Sequence, residues 1–516
     1  MRLLYRARFY RTQLIIIGIV ILVVFAVVTA WPRELFYSNQ HIYFPHGLYF
    51  TGQDFLQNDW YVHTRPAHPV FTVLITAMEQ LDILFIGSTV LEIALYLCLL
   101  LTLWFLIIKL YDTLVNNTSV FAGIRRREFA FVVLGVYILA QNYLHIWRIE
   151  GLAGQYIFRR HLQPSEFVIL ALLALVLMLY DKWRIAILLL AIVTNLHFGY
   201  LVHFSILVMT AAGWLYTQGK WRIALEMILI FGVANLPAFI GGPLAFALEP
   251  GSAETQHIIA NIRIPHHSLP WFWWNDVQAQ KIGLMMLGLL LLFWKIPGVL
   301  RWILSVGLGV ICTGIIVVWI TRNDSLALMH LWRGSVYLYP ISQIIILVFA
   351  GMYSLKFVSR FFKRIWMVVL VGFYVVLLLA GLVQIQSLII ARAAPPPPPT
   401  QMEILASVVQ EHTTIHDIIL VPSTPPSGWG FQDFRLEAQR PLFVDWKSHP
   451  YFPTDLLEWW RRVQVTEEFY AVSHDTRLEI CQEEGVDYYI LPIENPAPEA
   501  ALVAATDAYQ LVSCTP

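Results

Sequence analysis

The chain has 516 residues, of which 58% are hydrophobic and 13% charged, and its mean hydropathy is +0.63. A soluble globular protein carries about a quarter charged residues. This composition therefore leaves too few polar side chains for a surface that faces only water, and much of the surface must face lipid. The 34 basic and 34 acidic residues give a formal net charge of zero, so no overall positive field points to nucleic acid as a partner.

Long apolar runs divide the first three quarters of the chain. A bilayer core about 30 Å thick needs roughly 20 apolar residues per helix, which predicts about eleven spans here. The first run follows four arginines, as in a signal peptide, but it lacks a small-residue cleavage site and continues into Trp31-Pro32. We interpret it as an uncleaved span. The runs lie at 14–30, 86–110, 129–146, 165–181, 185–199, 200–216, 223–243, 282–296, 299–320, 336–355 and 366–390.

The stretch 185–216 is interrupted by Asn195, His197 and His203. We predict two short, tilted helices in it, because a single helix would break the alternation of charge between loops. These polar residues, together with Asn235, could relay protons or ions, or they could join helices through hydrogen bonds.

Basic residues collect in alternate loops, and this pattern predicts the orientation. By the positive-inside rule such loops face the cytoplasm, so we expect the N-terminus inside and everything after Arg392 outside. The chain is predicted to be an integral protein of a bacterial-type plasma membrane. The outer loops are expected at 31–68, 147–164, 244–281 and 321–335.

The sequence predicts a domain boundary at a stiff run of prolines, Pro395 to Pro399. We expect a transmembrane helical domain over 1–392, a linker over 393–400 and an extracytoplasmic α/β domain over 401–516. In this domain short strands at 418–422, 442–446 and 488–492 alternate with helices at about 401–411, 454–471 and 475–484, which favours a mostly parallel sheet. Cys481 and Cys514 could pair there if the compartment is oxidising.

The first outer loop carries two carboxylates, Asp54 and Asp59, among aromatic residues. A carboxylate partly desolvated at the edge of a membrane has its pKa raised toward the range of a general base. Both are therefore candidate catalytic residues. The alternative is a solvated loop in which these acids cap short helices.

The third outer loop carries Arg263, His266 and His267, followed by the aromatic run 271–274. Adjacent side chains diverge in helix and strand alike, so a shared metal is weakly supported, and hydrogen bonding to phosphate or sugar is at least as good an interpretation. The aromatic run is typical of an interfacial belt, although aromatic faces also stack on sugar rings.

Charged residues near the other outer interfaces complete the candidate substrate site. Arg333 precedes the tenth predicted span, and Glu150, Arg159 and Arg160 lie in the second outer loop. Guanidinium groups suit a phosphate or diphosphate through bidentate hydrogen bonds. Each arginine could instead bind a lipid headgroup or pair with a loop acid.

This layout resembles the GT-C class of membrane glycosyltransferases, which share a cytoplasmic N-terminus, an acidic first outer loop, many spans and often an outer C-terminal domain. The resemblance implies transfer of a sugar from a polyprenyl-phosphate or polyprenyl-diphosphate donor, with Asp54 or Asp59 as base or metal ligand. Glu150 would be a second acidic contact and Arg333 the phosphate ligand. Because four residues separate the two aspartates, they form no strict DxD motif, which leaves a divalent metal open.

The chain also resembles an uncharacterised bacterial family of multi-span proteins with an outer C-terminal domain. The residues that carry this resemblance are Asp54 to Asp59 followed by His68-Pro69, the run Arg263 to His267, and Arg440 to Pro450 followed by Glu458 to Arg462. A fainter similarity links 418–445 to the catalytic subunit of oligosaccharyltransferase, although the tryptophan-aspartate pair of that motif is absent.

The sequence therefore favours a membrane glycosyltransferase whose partners are membrane lipid and a polyprenyl-phosphate-linked sugar. Two alternatives from other classes stay open. The chain could be a structural or accessory subunit with protein partners in a membrane complex, or a transporter with a polar path at 195–203. The absence of an evident internal repeat counts against the transporter.

Overall fold

A computed structural model describes residues 17–31, 35–116, 126–142, 150–159, 161–249, 252–295, 298–362, 366–395, 398–425 and 430–515. The chain divides into two compact units. The first comprises Met1–Pro32, Thr89–Phe239 and Ile259–Ala394, and the second comprises Arg33–Ser88, Ile240–Ile258 and Pro395–Pro516.

A helix occupies each of the predicted apolar runs. These helices are Ile17–Ala30, Leu84–Asn116, Arg126–Asn142, Val168–Leu179, Trp183–Leu196, Leu201–Thr217, Trp221–Ala234, Asp276–Lys295, Val299–Thr321, Ser335–Phe362 and Trp366–Ala393. Shorter elements of the first unit are Leu236–Phe239, Pro265–Ser268, Pro270–Trp273 and Asp324–Leu328, with 3-10 turns at Pro164–Phe167, Phe198–Tyr200 and Leu331–Gly334 and a π-helix at Ile258–Arg263.

Not all of these helices are long enough to cross a bilayer. Among the described residues, six helical stretches have the required length and hydropathy, and a seventh is counted if Trp221–Ala234 and Leu236–Leu248 form one bent span. Helices typical of a membrane protein are thus confirmed, but the predicted count of about eleven is not. The six are Leu84–Val115, Phe198–Thr217, Asp276–Phe293, Val299–Thr321, Asp324–Ser354 and Gly372–Ala391.

The predicted break near residue 197 has a local cause. His197 leaves the helical region, with φ −148° and ψ 90°, and its ring accepts a hydrogen bond from the Gly199 amide at 3.2 Å. A histidine that caps the next turn in this way ends one helix and begins another. The stretch therefore forms two helices, Trp183–Leu196 and Leu201–Thr217.

Small residues let two long helices of the first unit pack closely. A Cβ added at Gly288 would lie 2.8 Å from the Cβ of Ser342, inside normal contact distance. The helices Asp276–Lys295 and Ser335–Phe362 therefore approach at a point where only glycine fits. Such small-residue contacts are the usual basis of helix association in lipid, where apolar burial gives little advantage.

The second unit combines short helices with one small sheet. Its helices are Gln40–Tyr43, Pro45–Tyr49, Pro69–Gln80, Ala245–Leu248, Ser252–His257, Gln401–His412, Phe434–Ala438, Pro453–Ala471 and His474–Glu484, with 3-10 turns at Asp54–Leu56 and Trp60–His63 and a π-helix at Ile240–Leu244. The three C-terminal helices predicted from sequence are confirmed within two residues at each end.

The sheet differs from the prediction. Its strands are β1 (Ile419–Leu420), β2 (Tyr488–Pro492), β3 (Leu502–Ala505) and β4 (Tyr509–Ser513), in the order β1-β2-β4-β3. Only β1 and β2 are parallel, and β4 is antiparallel to both β2 and β3. The expectation of a mostly parallel sheet was wrong, because the last two strands form a hairpin, which needs no crossover helix.

The predicted strand at 442–446 makes only an isolated bridge, between Ile419 and Leu442. Its apolar residues are nevertheless buried, with Leu442, Phe443 and Val444 all at most 2% exposed. A buried apolar run does not distinguish a strand from an irregular core segment.

A capping box begins the first helix after the prolines, and a disulfide links a later helix to the end of the chain. The Thr400 hydroxyl accepts the Glu403 amide at 3.2 Å, and the Glu403 carboxylate accepts the Thr400 amide, which forms a capping box directly after the prolines. Near the end of the chain a disulfide joins Cys481 to Cys514, with Cα atoms 5.9 Å apart.

Candidate functional site

Asp54, the first candidate base, opens the 3-10 turn Asp54–Leu56 in the second unit. The residue is exposed, and its carboxylate makes no hydrogen bond with the residues that the structure describes. It is therefore free to accept a proton from a substrate.

Asp59, the second candidate, is completely buried, and both of its carboxylate oxygens accept hydrogen bonds. One carboxylate oxygen accepts Arg435 Nε at 2.6 Å and the Leu442 amide at 2.9 Å, and the other accepts the Tyr61 amide at 3.0 Å. These donors leave little room for a substrate. The contacts of Asp59 are those of a residue that attaches the segment after Arg33 to the C-terminal residues of the same unit.

Arg435 is the centre of this buried ion cluster and was not singled out from the sequence. It also donates from Nη1 to Asp445 at 2.6 Å and to the Ser448 hydroxyl at 2.9 Å. Burial alone would lower the pKa of the guanidinium, but the charges of Asp59 and Asp445 outweigh it and raise the pKa above its ordinary value. A buried guanidinium that pairs with two buried carboxylates connects segments of the protein and is not positioned to bind a substrate.

His46 lies close to the same cluster. Its Nε2 is 3.1 Å from the Thr64 carbonyl oxygen, and its ring packs against Tyr61 with centroids 4.8 Å apart. Burial, aided slightly by the Arg435 charge, lowers the pKa of His46 to about 4. His46 is therefore neutral near pH 7 and donates to Thr64.

In the first unit, Arg333 lies in the 3-10 turn Leu331–Gly334 and is half-buried. A Cβ added at Gly199 would fall 2.3 Å from Arg333 Nη1, and the guanidinium carbon lies 5.6 Å from the centre of the Tyr200 ring. Arg333 Nε is buried without a hydrogen-bond partner. Arg333 also makes no ion pair with a described residue, so its charge is available to an anion.

Three histidines connect the elements around Arg333. His203 Nε2 bonds the His330 carbonyl at 2.9 Å, and His330 Nε2 lies 3.2 Å from the Ser268 hydroxyl. His267 Nδ1 lies 2.6 Å from the Ala153 carbonyl oxygen. The segment around His267, the segment around Ala153 and the turn that carries Arg333 therefore pack together in the first unit.

The two adjacent histidines, His266 and His267, are uncharged near neutral pH. Burial, the neighbouring His266 and the charges of Arg333 and Arg263 together lower the pKa of His267 to about 3. Burial and Arg263 likewise lower the pKa of His266. Arg263 itself is only 6% exposed. The positive charges near these rings are therefore the guanidinium groups.

Glu150 and Arg159, in the segment 150–159, contact different side chains. Lys281 Nζ lies 3.9 Å from Glu150 and donates to the Gly151 carbonyl at 2.8 Å. The Arg159 guanidinium stacks on Tyr156 at 4.0 Å. Arg160 lies outside the described residues.

The predicted residues thus fall into two groups. Arg333, Arg263, His266 and His267 share one region of the first unit, whereas Asp54 and Asp59 belong to the second unit. Among the described residues, no group of three or more His, Cys, Asp or Glu side chains could hold a metal ion.

Sequence reasoning missed His330 and Gly199 as members of the Arg333 region. His330 stands three residues before Arg333, and Gly199 follows the predicted helix break at His197. Spacing alone could not show that these two segments meet.

The comparisons with known proteins concern the C-terminal part of the chain. Residues 400–466 match the profile of a domain of unknown function, DUF6798. This match includes Arg435 and Asp445 but not Asp59. The chain matches no curated protein.

Proposed function

We propose that the chain is a GT-C-like membrane glycosyltransferase, which moves a sugar from a polyprenyl-phosphate or polyprenyl-diphosphate donor to an acceptor at the outer face of the membrane. One observation carries this proposal. The Arg333 guanidinium is half-buried among uncharged histidines and aromatic rings, and it makes no ion pair with a described residue.

That environment favours a phosphate oxyanion over water. A guanidinium presents donors in a planar fork that matches two phosphate oxygens. Its attraction for an anion strengthens where water is excluded. Arg263 adds a second positive charge close to His267, and the neutral imidazoles of His266 and His267 can hydrogen-bond a phosphate or a sugar hydroxyl.

In the proposed reaction an acceptor hydroxyl oxygen attacks the anomeric carbon of the donor sugar. The bond between that carbon and the phosphate oxygen breaks, and the polyprenyl phosphate leaves with the bonding electrons. Arg333 stabilises the negative charge of the leaving group. The hydroxyl proton passes to a general base.

Two features support placing the second unit outside the cytoplasm. The Cys481–Cys514 disulfide is typical of oxidising compartments. The basic loops predicted to face the cytoplasm alternate with loops rich in aromatic residues and acids.

The test is transfer in vitro from radiolabelled polyprenyl-phosphate sugars, with the full chain in liposomes. We expect Arg333→Gln to reduce transfer about 100-fold. Arg184 is a matched control, because it is an exposed arginine paired with Glu226, and Arg184→Gln should leave transfer unchanged. If no donor is consumed, or if Arg333→Gln matches the wild type, the proposal fails.

A further inference from the structure

Two carboxyl groups in the first unit have no part in the reaction above. Glu92 lies within the helix Leu84–Asn116, and Glu166 lies in the turn Pro164–Phe167, which leads into the helix Val168–Leu179. Glu92 is 1% exposed and Glu166 is 0% exposed. An ionisable residue inside an apolar helix is costly and usually marks a functional site.

Both carboxyls contact the same short stretch of chain. Glu166 Oε1 accepts the Arg159 amide at 2.6 Å, and Glu92 accepts the Leu162 amide. The two amides are three residues apart in sequence, and each carboxyl group thereby has one oxygen satisfied. The other oxygen, Oε2 in both residues, is buried without a hydrogen-bond partner.

The charges around the pair are few. Among the described residues, the charged groups that act on Glu166 are Glu92 and Arg159. The Arg159 guanidinium stacks on Tyr156, and neither carboxyl group makes an ion pair with a described residue. Two buried carboxylates that repel each other, neither of them in an ion pair, favour a state in which only one of the two is ionised.

We propose that Glu92 and Glu166 share a single bound proton and form a proton-binding site inside the membrane-spanning unit. One proton changes one unpartnered oxygen into a donor and leaves the other as its acceptor, so it satisfies both. A metal cation fits less well, since Ca²⁺ takes six to eight oxygen ligands and the pair offers two unpartnered ones. This inference is independent of the proposed glycosyl transfer.

Infrared spectroscopy of the full chain in liposomes tests the site, because a protonated carboxyl absorbs separately from a carboxylate. We expect one protonated carboxyl per chain at pH 7. Glu92→Gln or Glu166→Gln should shift the band but keep its integrated intensity, since the remaining acid stays protonated. The double variant should lose the band. Glu226→Gln is the control, because this exposed acid is paired with Arg184, and it should change nothing.

Three results would overturn the proposal. Absence of the band in the wild type would mean that both groups are ionised. A halving of its intensity in each single variant would mean two independent acids rather than one shared proton. Loss of the band when NaCl replaces choline chloride would mean that an alkali cation occupies the site. The first and third of these results are measured on the wild type alone, so they can be obtained even if a variant does not fold.

Discussion

Replacing Asp59 with asparagine should destabilise the second unit, whereas the same change at Asp54 should not. Asp59 accepts three hydrogen bonds in a fully buried site, one of them from the Arg435 guanidinium at 2.6 Å. An asparagine removes the charge and can turn an NH₂ group toward those donors. Breaking a buried ion pair by changing one partner costs about 3–5 kcal/mol.

The shift in melting temperature follows from the size of the unit. For a folding unit of 150–250 residues, 1 kcal/mol shifts the Tm by about 2–4 °C, so Asp59→Asn should lower it by roughly 6–20 °C. Asp54 is exposed, and its substitution should change stability by no more than about 0.5 kcal/mol. Intrinsic tryptophan fluorescence during heating of the detergent-solubilised chain measures both values.

A double-mutant cycle separates the ion pair from general loss of packing. Combining Asp59→Asn with Arg435→Met should give a coupling free energy of about 0.5–3 kcal/mol, because the residues are in direct contact. If Asp59→Asn melts within 2 °C of the wild type (well below the ~6 °C expected), or if the two changes are additive, the ion cluster does not stabilise this unit as argued.

Three further predictions concern single contacts. In the folded chain the pKa of His46 is lowered from 6.5 to about 4. As the pH falls, His46 therefore takes up a proton in the unfolded chain before it does so in the folded chain. The contribution of neutral His46 to the free energy of unfolding is present above pH 6.5 and should be lost between pH 6.5 and 4, by about 3 kcal/mol. Chemical denaturation across this pH range should show a smaller loss of unfolding free energy in His46→Gln than in the wild type. Cys481→Ser should cost about 2–5 kcal/mol of unfolding free energy relative to the oxidised wild type, and the reduced wild type should unfold as easily as the variant. Equal stability of the variant and the oxidised wild type would contradict this. Gly199→Ala should displace the Arg333 guanidinium, because the new Cβ would lie 2.3 Å from Nη1, and should reduce binding of a polyprenyl phosphate at least tenfold in an equilibrium assay; Gly213→Ala, where the added Cβ meets nothing within 4 Å, should leave binding unchanged.

Hydropathy patterns predicted the helices well because the signals that begin and end a helix are local. The break at His197 and the start of the helix at Thr400 depend on residues within three positions of one another. Lengths were harder to predict, since an apolar run also describes a helix such as Trp183–Leu196 that is shorter than a typical span.

The pairings between distant segments could not be read from the sequence. Asp59 and Arg435 are separated by 376 positions, and nothing near Asp59 distinguishes a buried anchor from a catalytic base. The same limit applies to Glu92 and Glu166, whose shared environment depends on how two segments of the first unit pack. The sequence singled out Arg333, Arg263, His266 and His267 separately, and nothing in their spacing shows that they lie in one region.

The ion cluster also has a consequence for biosynthesis. Asp59 is translated 376 positions before Arg435, and at 5–20 residues per second this interval lasts about 20–75 s. During that time its carboxylate has no guanidinium partner and must remain hydrated. A ribosome that stalls before residue 435 would leave a nascent chain in which the segment after Arg33 lacks its anchor, and membrane quality-control proteases could recognise such a chain by that segment.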